Sequence, residues 1–314
     1  MQIVKLKHPH TQMEFPETAT ALGFFDGVHR GHQEVILTAK KKANEMQLKS
    51  AVMTFFPHPK EVLRKTDKDD VYYLSTIKEK EKQISELGID YLFIIEFDTA
   101  FSELSPQEFV DQYLIGLNIN HVVAGFDYSY GRLGKGSMET LPFHSREKIS
   151  QTTVDKITYE GEKISSTEIR HALLQGDIDK ATTYLGRKYV IYGEVVHGEK
   201  RGRTIGFPTA NIAYHEKVVI PTTGVYAVWL RVDKNWHRGV CNIGYKPTFH
   251  DPSNEIPTIE VHLFDFDGNL YDKEVSCSFV ARIRGEKKFA SVDDLIAQIS
   301  KDKETARSLF EQDS

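Results

Sequence analysis

The stretch Gly23-Phe24-Phe25-Asp26-Gly27-Val28-His29-Arg30-Gly31-His32 decides the fold of the N-terminal half through what stands on either side of it. Before it, Thr20-Ala21-Leu22-Gly23-Phe24 reads as a short buried strand. After it, His32 to Gln47 carries Val35, Ile36, Ala39 and Ala43 at helical spacing. A strand that turns through glycines into a helix opens a βα unit, and open α/β sheets take their ligands at that end of the strands.

The same rhythm continues outward. Ser50 to Phe56, Tyr91 to Phe97 and His121 to Ala124 read as strands. Lys78 to Leu87, closed by Gly88, and Ser105-Pro106 through Tyr113, stopped near Gly116, read as helices. Strands alternating with helices imply right-handed crossovers and a doubly wound parallel sheet.

The texture changes after about residue 183. Val190 to Val196, Gly224 to Val232, Gly239 to Ile243, Thr258 to Leu263 and Glu274 to Ile283 are short β-rich segments, with Asp267-Gly268-Asn269 suited to a tight hairpin. With no helices between them they are expected to form an antiparallel sheet or small barrel. Ser291 and Asp294 cap a closing helix, for which Leu295, Ile299 and Leu309 are candidate apolar contacts. Two domains are therefore expected, 1–183 and 184–314.

Composition agrees. Of 314 residues, 40% are hydrophobic and 27% charged, as in ordinary soluble proteins, and 40 Lys and Arg against 45 Asp and Glu leave a formal charge of −5. That balance argues against nucleic acid as a partner, since a broad basic face normally shows as a surplus. The most apolar run, Tyr91-Leu92-Phe93-Ile94-Ile95, is far short of the ~20 residues a membrane span requires. The N-terminus lacks a signal-peptide pattern, so a cytoplasmic protein is expected. The two cysteines, Cys241 and Cys277, form no metal-binding pattern and are expected as small buried thiols, although sequence does not exclude a disulfide between them. Nothing in the sequence fixes an oligomeric state; a monomer or weak self-association is expected.

Chemistry concentrates in two places. In the opening stretch, Gly27 and Gly31 let the backbone approach a phosphate, the helix N-terminus offers free N–H groups, and His29 and His32 lie three apart, able to point into one space. Competing readings are half of a metal site, for which further ligands are not evident nearby, and plain turn histidines. Ser165-Ser166-Thr167-Glu168-Ile169-Arg170 is by itself a capped helix start; with three hydroxyls and Arg170 one turn in, it also suits a second anion cradle. Gly131 to Ser137 lacks Walker A spacing and reads as a flexible loop over the site. Asp127, with Phe126, Tyr128 and Tyr130, is available to a flat ligand, unless those aromatics are core.

In the β-rich half, Gly198 to Asn211 combines glycines and cations, including Gly202 and Arg203, with Thr209 and Asn211 alternating on one face as oxygen donors suited to Mg²⁺. The plain alternative is an exposed connecting loop. Glu260, between Ile259 and Val261, reads in isolation as a solvent-facing strand residue.

Taken together, the HxGH turn and the ISSTxIR segment resemble the nucleotidyltransferases of the α/β-phosphodiesterase superfamily. With Phe55-Phe56-Pro57-His58-Pro59 and Gly125 to Gly131, the signature resembles the FMN adenylyltransferase branch. Gly206-Phe207-Pro208-Thr209-Ala210-Asn211-Ile212, Gly224-Val225-Tyr226, Asn242-Ile243-Gly244 with Pro247-Thr248-Phe249, Ile259 to Leu263 and Arg284 to Phe289 resemble the riboflavin kinase domain, whose fold is a small antiparallel barrel. The order matches the bifunctional bacterial riboflavin kinase/FAD synthetase family. The resemblance implies small-molecule substrates (riboflavin, FMN and ATP), with Mg²⁺. It implies that His29 and His32 act on the ATP phosphates and stabilise the transition state, with Gly23, Phe24, Asp26, Gly27, Gly31 and Asp127 in the nucleotide and flavin site. Ser165, Ser166, Thr167 and Arg170 would close over the triphosphate. In the second domain it implies Gly202, Arg203, Thr209 and Asn211 for Mg²⁺-ATP and Glu260 as general base on the ribityl hydroxyl.

Overall fold

The computed structural model describes residues 1–11, 13–63, 71–198, 202, 205–215, 217–245 and 257–312. By its internal contacts the chain divides into two compact units, Met1–Ser166 and Thr167–Ser314.

The first unit is built on a six-stranded parallel sheet. Its strands are β1 (Gln2–Leu6), β2 (Thr18–Leu22), β3 (Lys49–Phe56), β4 (Tyr91–Glu96), β5 (Ile119–Gly125) and, after a hairpin of β6 (Ser129–Tyr130) and β7 (Gly136–Ser137), β8 (Ser150–Val154). Their order is β1-β4-β3-β2-β5-β8. Both faces are covered. Leu22, Met53, Phe93 and Ala124 pack to one side with Phe109 and Tyr113, while Ala21, Val52, Leu92 and Val123 pack to the other against Ile36 and Ala39 of helix α1 (Arg30–Met46) and Ile84. Burial on both faces is why these strands read as continuous apolar runs rather than alternating ones.

The chain leaves β2 through α1 to β3 on one side, and later returns to place β5 on the other. Such a reversal opens a crevice beyond the carboxyl ends of the two central strands, and the Gly23–His32 stretch lies there.

In the second unit, two helices precede a barrel: Ser166–Gln175, whose first residue ends the first unit, and Ile178–Leu185. After the two-residue strands β9 (Thr158–Tyr159) and β10 (Glu162–Lys163) of the first unit, the barrel strands are β11 (Val190–Val196), β12 (Ala210–Tyr214), β13 (Gly224–Val232), β14 (Asn235–Gly244), β15 (Thr258–Leu263) and β16 (Glu274–Arg284). They close in the order β11-β12-β15-β14-β13-β16, with β16 pairing back to β11, every pair antiparallel. Ser291 caps the final helix (Val292–Gln312), which buries Ala306 and Phe310 against Trp229 and Phe264, with Leu309 beside them. Leu295 and Ile299 are only half-buried. Cys241 and Cys277 are free thiols, both fully buried.

Two expectations from sequence are corrected here. Asp267-Gly268-Asn269 closes no hairpin, because β15 pairs with β12 and β14, and β16 with β13 and β11. The tight hairpin is β13–β14, where Val232 pairs with Asn235 across Asp233-Lys234 and Asp233 takes φ +55°. Gly131 to Ser137, expected as a flexible loop, is a connection only over 131–135; Gly136 and Ser137 pair with Tyr130 and Ser129 in the β6–β7 hairpin.

Candidate active sites

The nucleotide turn leaves β2 in an unusual backbone. Phe25, Gly27 and Val28 have φ of +53°, +77° and +39°, the left-handed region that a β-branched residue rarely enters. Such a turn persists only where its surroundings hold it. Gly27 N–H donates to Ser75 Oγ at 3.2 Å, and both carboxylate oxygens of Asp26 accept from Leu74 N–H at 3.0 and 3.1 Å. The turn ends at His29, 5% exposed, whose Nδ1 accepts from His32 N–H at 3.2 Å and so caps α1. Capping turns the His29 ring over His32, and the two imidazoles stack with centroids 3.5 Å apart and an interplanar angle of 18°. Little room is left beneath them at Gly31, where a Cβ would stand 3.2 Å from the His29 ring and 3.8 Å from the Ile164 carbonyl oxygen.

That carbonyl belongs to the second half of the site. Ser166 Oγ donates to the Asp26 carbonyl at 3.0 Å, tying the serine segment to the turn across 140 residues. Gly23, Phe24, His29, Gly31, His32, Asp127, Ser165 and Ser166 all line one cavity of about 620 Å³. It opens beyond the ends of β2, β3, β5 and β8, and its wall also carries Phe97, Phe101, Phe109 and Tyr128. A largely apolar wall with a few converging polar groups is the build of a site for a flat, partly polar molecule. Phe126 is half-exposed at this wall, and Tyr130 is buried with its hydroxyl 2.9 Å from His144 Nδ1. Asp127 is paired with Lys163 at 2.7 Å, and the lysine ammonium lies 4.8 Å from the Phe126 ring centroid.

Asp26 and Gly27 are placed behind the turn, buried, with the Asp26 carboxylate spent on the backbone of Leu74. Thr167 and Arg170 follow Ser166 in the helix Ser166–Gln175, in the second compact unit. Lys156 and Lys163 on the cavity wall were not foreseen, because single lysines in a polar stretch carry no periodic signal.

The second candidate site lies on the outer face of the barrel. Ile259 and Val261 are each 1% exposed, so their neighbour Glu260 faces outward. There it pairs in register with Asn211 of β12 on one side and Asn242 of β14 on the other. Register partners share a face, so the three side chains form a row. Thr209 Oγ1 stands 3.4 Å from Glu260 Oε2. Gly198 is closed against Asn211, whose side chain would lie 2.3 Å from any Cβ there. Gly202 accepts from Phe207 N–H at 2.8 Å and from Ile205 N–H at 3.2 Å, forming a tight turn ahead of Thr209. His262 anchors the same segment: Nδ1 donates to the Pro208 carbonyl at 2.9 Å, and its ring meets Phe207 edge to face. Burial lowers the His262 pKa, opposed by the bond to the Pro208 carbonyl. Arg203 and Pro247-Thr248-Phe249 lie outside the described residues. Asn242, His262 and Glu286 stand in the segments that resemble the kinase domain but were given no role from sequence; Asn242 is in register with Glu260, and Glu286 Oε1 lies 2.9 Å from where a Cβ on Gly244 would stand.

The donors here are hard oxygens from a hydroxyl, an amide and a carboxylate, which is the chemistry Mg²⁺ accepts. Among the described residues no group of three or more His, Cys, Asp or Glu could hold a metal ion. No helix among those residues is long and apolar enough to cross a membrane.

Comparison with known proteins covers both units. A family model described as FAD synthetase matches residues 11–168, and one described as riboflavin kinase matches residues 185–310. The bifunctional riboflavin kinase/FMN adenylyltransferase of Bacillus subtilis (strain 168) is 47% identical over 312 residues, 99% of this chain and 98% of that one. The enzyme of the same name from Haemophilus influenzae is 37% identical over 314 residues, 99% of each. A solved structure titled as a macrolide-efflux protein from Streptococcus pneumoniae matches with a TM-score of 0.89 at 34% identity, covering 98% of this chain and 99% of that one. With models matched to both units and relatives aligned from end to end, the chain belongs to the bifunctional riboflavin kinase/FMN adenylyltransferase family.

Proposed function

We propose that this chain makes FAD from riboflavin in two ATP-dependent steps, with the kinase in 184–314 and the adenylyltransferase in 1–183. In the first step the ribityl 5′-hydroxyl of riboflavin attacks the γ-phosphorus of ATP, giving FMN and ADP. In the second a phosphate oxygen of FMN attacks the α-phosphorus of a second ATP, giving FAD and pyrophosphate.

At the barrel face, Glu260 is the base that accepts the hydroxyl proton. Asn211 beside it and Thr209 at 3.4 Å place neutral oxygen donors next to that carboxylate, so the phosphates meet donors and not a second negative charge. Thr209 and Asn211 would hold Mg²⁺, which when bound neutralises charge on the phosphates. Gly202, and by sequence pattern Arg203, belong to the same ATP site.

In the first domain His29 and His32 donate hydrogen bonds to the α-phosphate as charge builds on its oxygens. Gly23, Gly31 and the α1 N-terminus let backbone N–H groups approach the triphosphate. Ser165 and Ser166 bind it from the other wall, and the sequence pattern assigns Thr167 and Arg170 to it as well. Phe24 and Asp127 belong to the same cavity wall, while Asp26 and Gly27 shape the turn from behind. The chain works in the cytoplasm on small molecules, as a monomer or weakly self-associated.

The observation that carries this reading is the meeting of the HxGH turn and the serine segment on one cavity, sealed by the Ser166–Asp26 hydrogen bond. Incubation with riboflavin, ATP and Mg²⁺, followed by chromatography of the flavins, tests it. FMN should appear first and FAD after it; absence of both would overturn the assignment.

A further inference from the structure

The nucleotide turn is braced from behind by a stretch that no reading of the site includes, Leu74 to Lys80. Leu74 N–H holds the Asp26 carboxylate, Ser75 Oγ holds Gly27 N–H, and Lys80, at the centre of the charged helix Ile77–Glu86, is 2% exposed. Its ammonium donates to the Phe24 carbonyl at 2.7 Å and stands 3.4 Å from Thr54 Oγ1, which itself donates to the same carbonyl at 2.8 Å. It also lies 4.2 Å from the centroid of the Phe24 ring, a ring that forms part of the cavity wall. Phe24 is the last residue before the left-handed Phe25, so its carbonyl is the hinge from which the turn to His29 departs.

We propose that Lys80 is a positioning residue for adenylyl transfer, acting through Phe24 to hold the nucleotide turn and its two histidines in register with the cavity. A lysine is buried at a cost, and ordinarily only beside a partner that needs it. Here it has three: a carbonyl that must not rotate, an aromatic face, and the Asp26 carboxylate, whose charge favours the ammonium. Burial dominates and pushes the Lys80 pKa down to about 8, with Asp26 opposing. The other elements packed around it present neutral groups, the Thr54 hydroxyl from β3 and the Phe24 carbonyl and ring. On its own helix, Glu79 is engaged with Thr76 N–H. The positive charge at the brace is therefore expected to be lost as pH rises through about 8.

This inference rests on the assignment of adenylyl transfer to the first domain, and riboflavin phosphorylation by the same chain supplies an internal control for folding. In full-length Lys80→Met, adenylylation of supplied FMN should fall in kcat by about 10- to 100-fold, with the KM values for ATP and FMN within about threefold of wild type and FMN formation unchanged. The wild-type decline in kcat above about pH 8 should be absent from Lys80→Met, a difference a merely structural residue would not produce. Thr54→Val, which removes one of the two donors to Phe24 without introducing a void, should give a smaller loss in kcat of about threefold. Wild-type adenylylation rate in Lys80→Met, or equal loss of both activities there with Thr54→Val unaffected, would overturn the proposal. Failure of wild type itself to make FAD would overturn the assignment of the domain instead.

Discussion

Ser166 Oγ donates to the carbonyl of Asp26 at 3.0 Å, joining the serine segment to the histidine turn from opposite ends of the first unit. The bond is to a main-chain oxygen, so it fixes the position of the turn without depending on the Asp26 side chain, which is occupied by Leu74. Two residues earlier, the Ile164 carbonyl oxygen lies 3.8 Å from where a Cβ on Gly31 would stand. The two walls of the cavity are thus set by backbone geometry.

Gly31→Ala tests how narrow that setting is. The new methyl would stand 3.2 Å from Cε1 and Nδ1 of His29, tighter than an ordinary contact, and His29 is packed on His32 with little room to move. The imidazole must shift by a few tenths of an ångström. Misplacement of a catalytic group by about 1 Å costs on the order of 100-fold in rate, so a loss of about 10-fold in FAD formation is expected. FMN formation by the barrel should be unaffected. Steady-state assays of both steps on one preparation make the measurement, and equal rates of FAD formation in variant and wild type would refute the assignment of His29.

Glu260→Gln separates the two activities in the other direction. Glutamine keeps the place in the row between Asn211 and Asn242 but accepts no proton from a hydroxyl. General base catalysis contributes about 10²- to 10⁴-fold, and a loss of that size is expected in riboflavin phosphorylation. Adenylylation of supplied FMN should continue at the wild-type rate. A variant that phosphorylates riboflavin normally would remove Glu260 from the mechanism.

Much of this architecture was legible in the sequence because the central strands of the first unit are buried on both faces and the barrel strands are short β-rich runs set apart by turn residues. What escaped did so for local reasons. β1 has only Leu6 fully buried among its five residues, so an edge strand offered no apolar run to read. β12 begins at Ala210, two residues after Pro208 in a Gly-rich stretch, and its first residues read as part of the preceding loop. Asp267-Gly268-Asn269 has the composition of a hairpin turn, yet the pairing of β15 and β16 with other strands overrides it. At the candidate sites, the letters singled out His29, His32, Thr209 and Asn211, and the family resemblance added Glu260, while the groups packed behind them stayed hidden. Lys80 sits in Lys78-Glu79-Lys80-Glu81-Lys82, where nothing local distinguishes one buried lysine from its exposed neighbours. Only the packing of that helix against the nucleotide turn does so.

The first unit also contains a buried histidine away from the site, and its protonation sets a pH dependence of stability. His121, 5% exposed, places Nδ1 2.7 Å from Ser150 Oγ and Nε2 3.0 Å from Thr152 Oγ1. Burial lowers its pKa below 6.5, reinforced by Lys42 and opposed by Glu45. The unfolded chain therefore takes up this proton at a higher pH than the folded one. Stability from the neutral ring is present above about pH 6.5 and is lost as pH falls towards the lower folded value. The melting temperature of the first unit should decline between about pH 7 and pH 5, and His121→Gln should flatten that part of the profile. Parallel profiles in the two proteins would show that His121 does not titrate on unfolding.

The barrel is closed by a charge pair that bears on stability and not on chemistry. Asp302, 3% exposed on the final helix, accepts from Arg284 Nε at 3.0 Å and Nη2 at 2.8 Å, and from Gln298 Nε2 at 2.9 Å. Arg284 is the last residue of β16, so this pair pins the helix that seals Phe310 against Trp229 and Phe264. Asp302→Ala would leave the guanidinium, whose side chain is only 22% exposed, without its carboxylate and with the Gly285 carbonyl as its remaining hydrogen-bond acceptor among the described residues. Removal of one partner from a buried pair costs about 3 kcal/mol or more, because the remaining charge stays desolvated. For a unit of this size that corresponds to a fall of roughly 6 to 12 °C in its melting temperature. Riboflavin phosphorylation well below the transition should be nearly unchanged, since Glu260 lies on β15, Asn211 on β12 and Thr209 directly before β12, all away from β16. Differential scanning calorimetry of the full chain, with FMN formation followed alongside, measures both; a shift of less than about 2 °C would place the closing energy in the apolar contacts of Phe310 rather than in the charge pair.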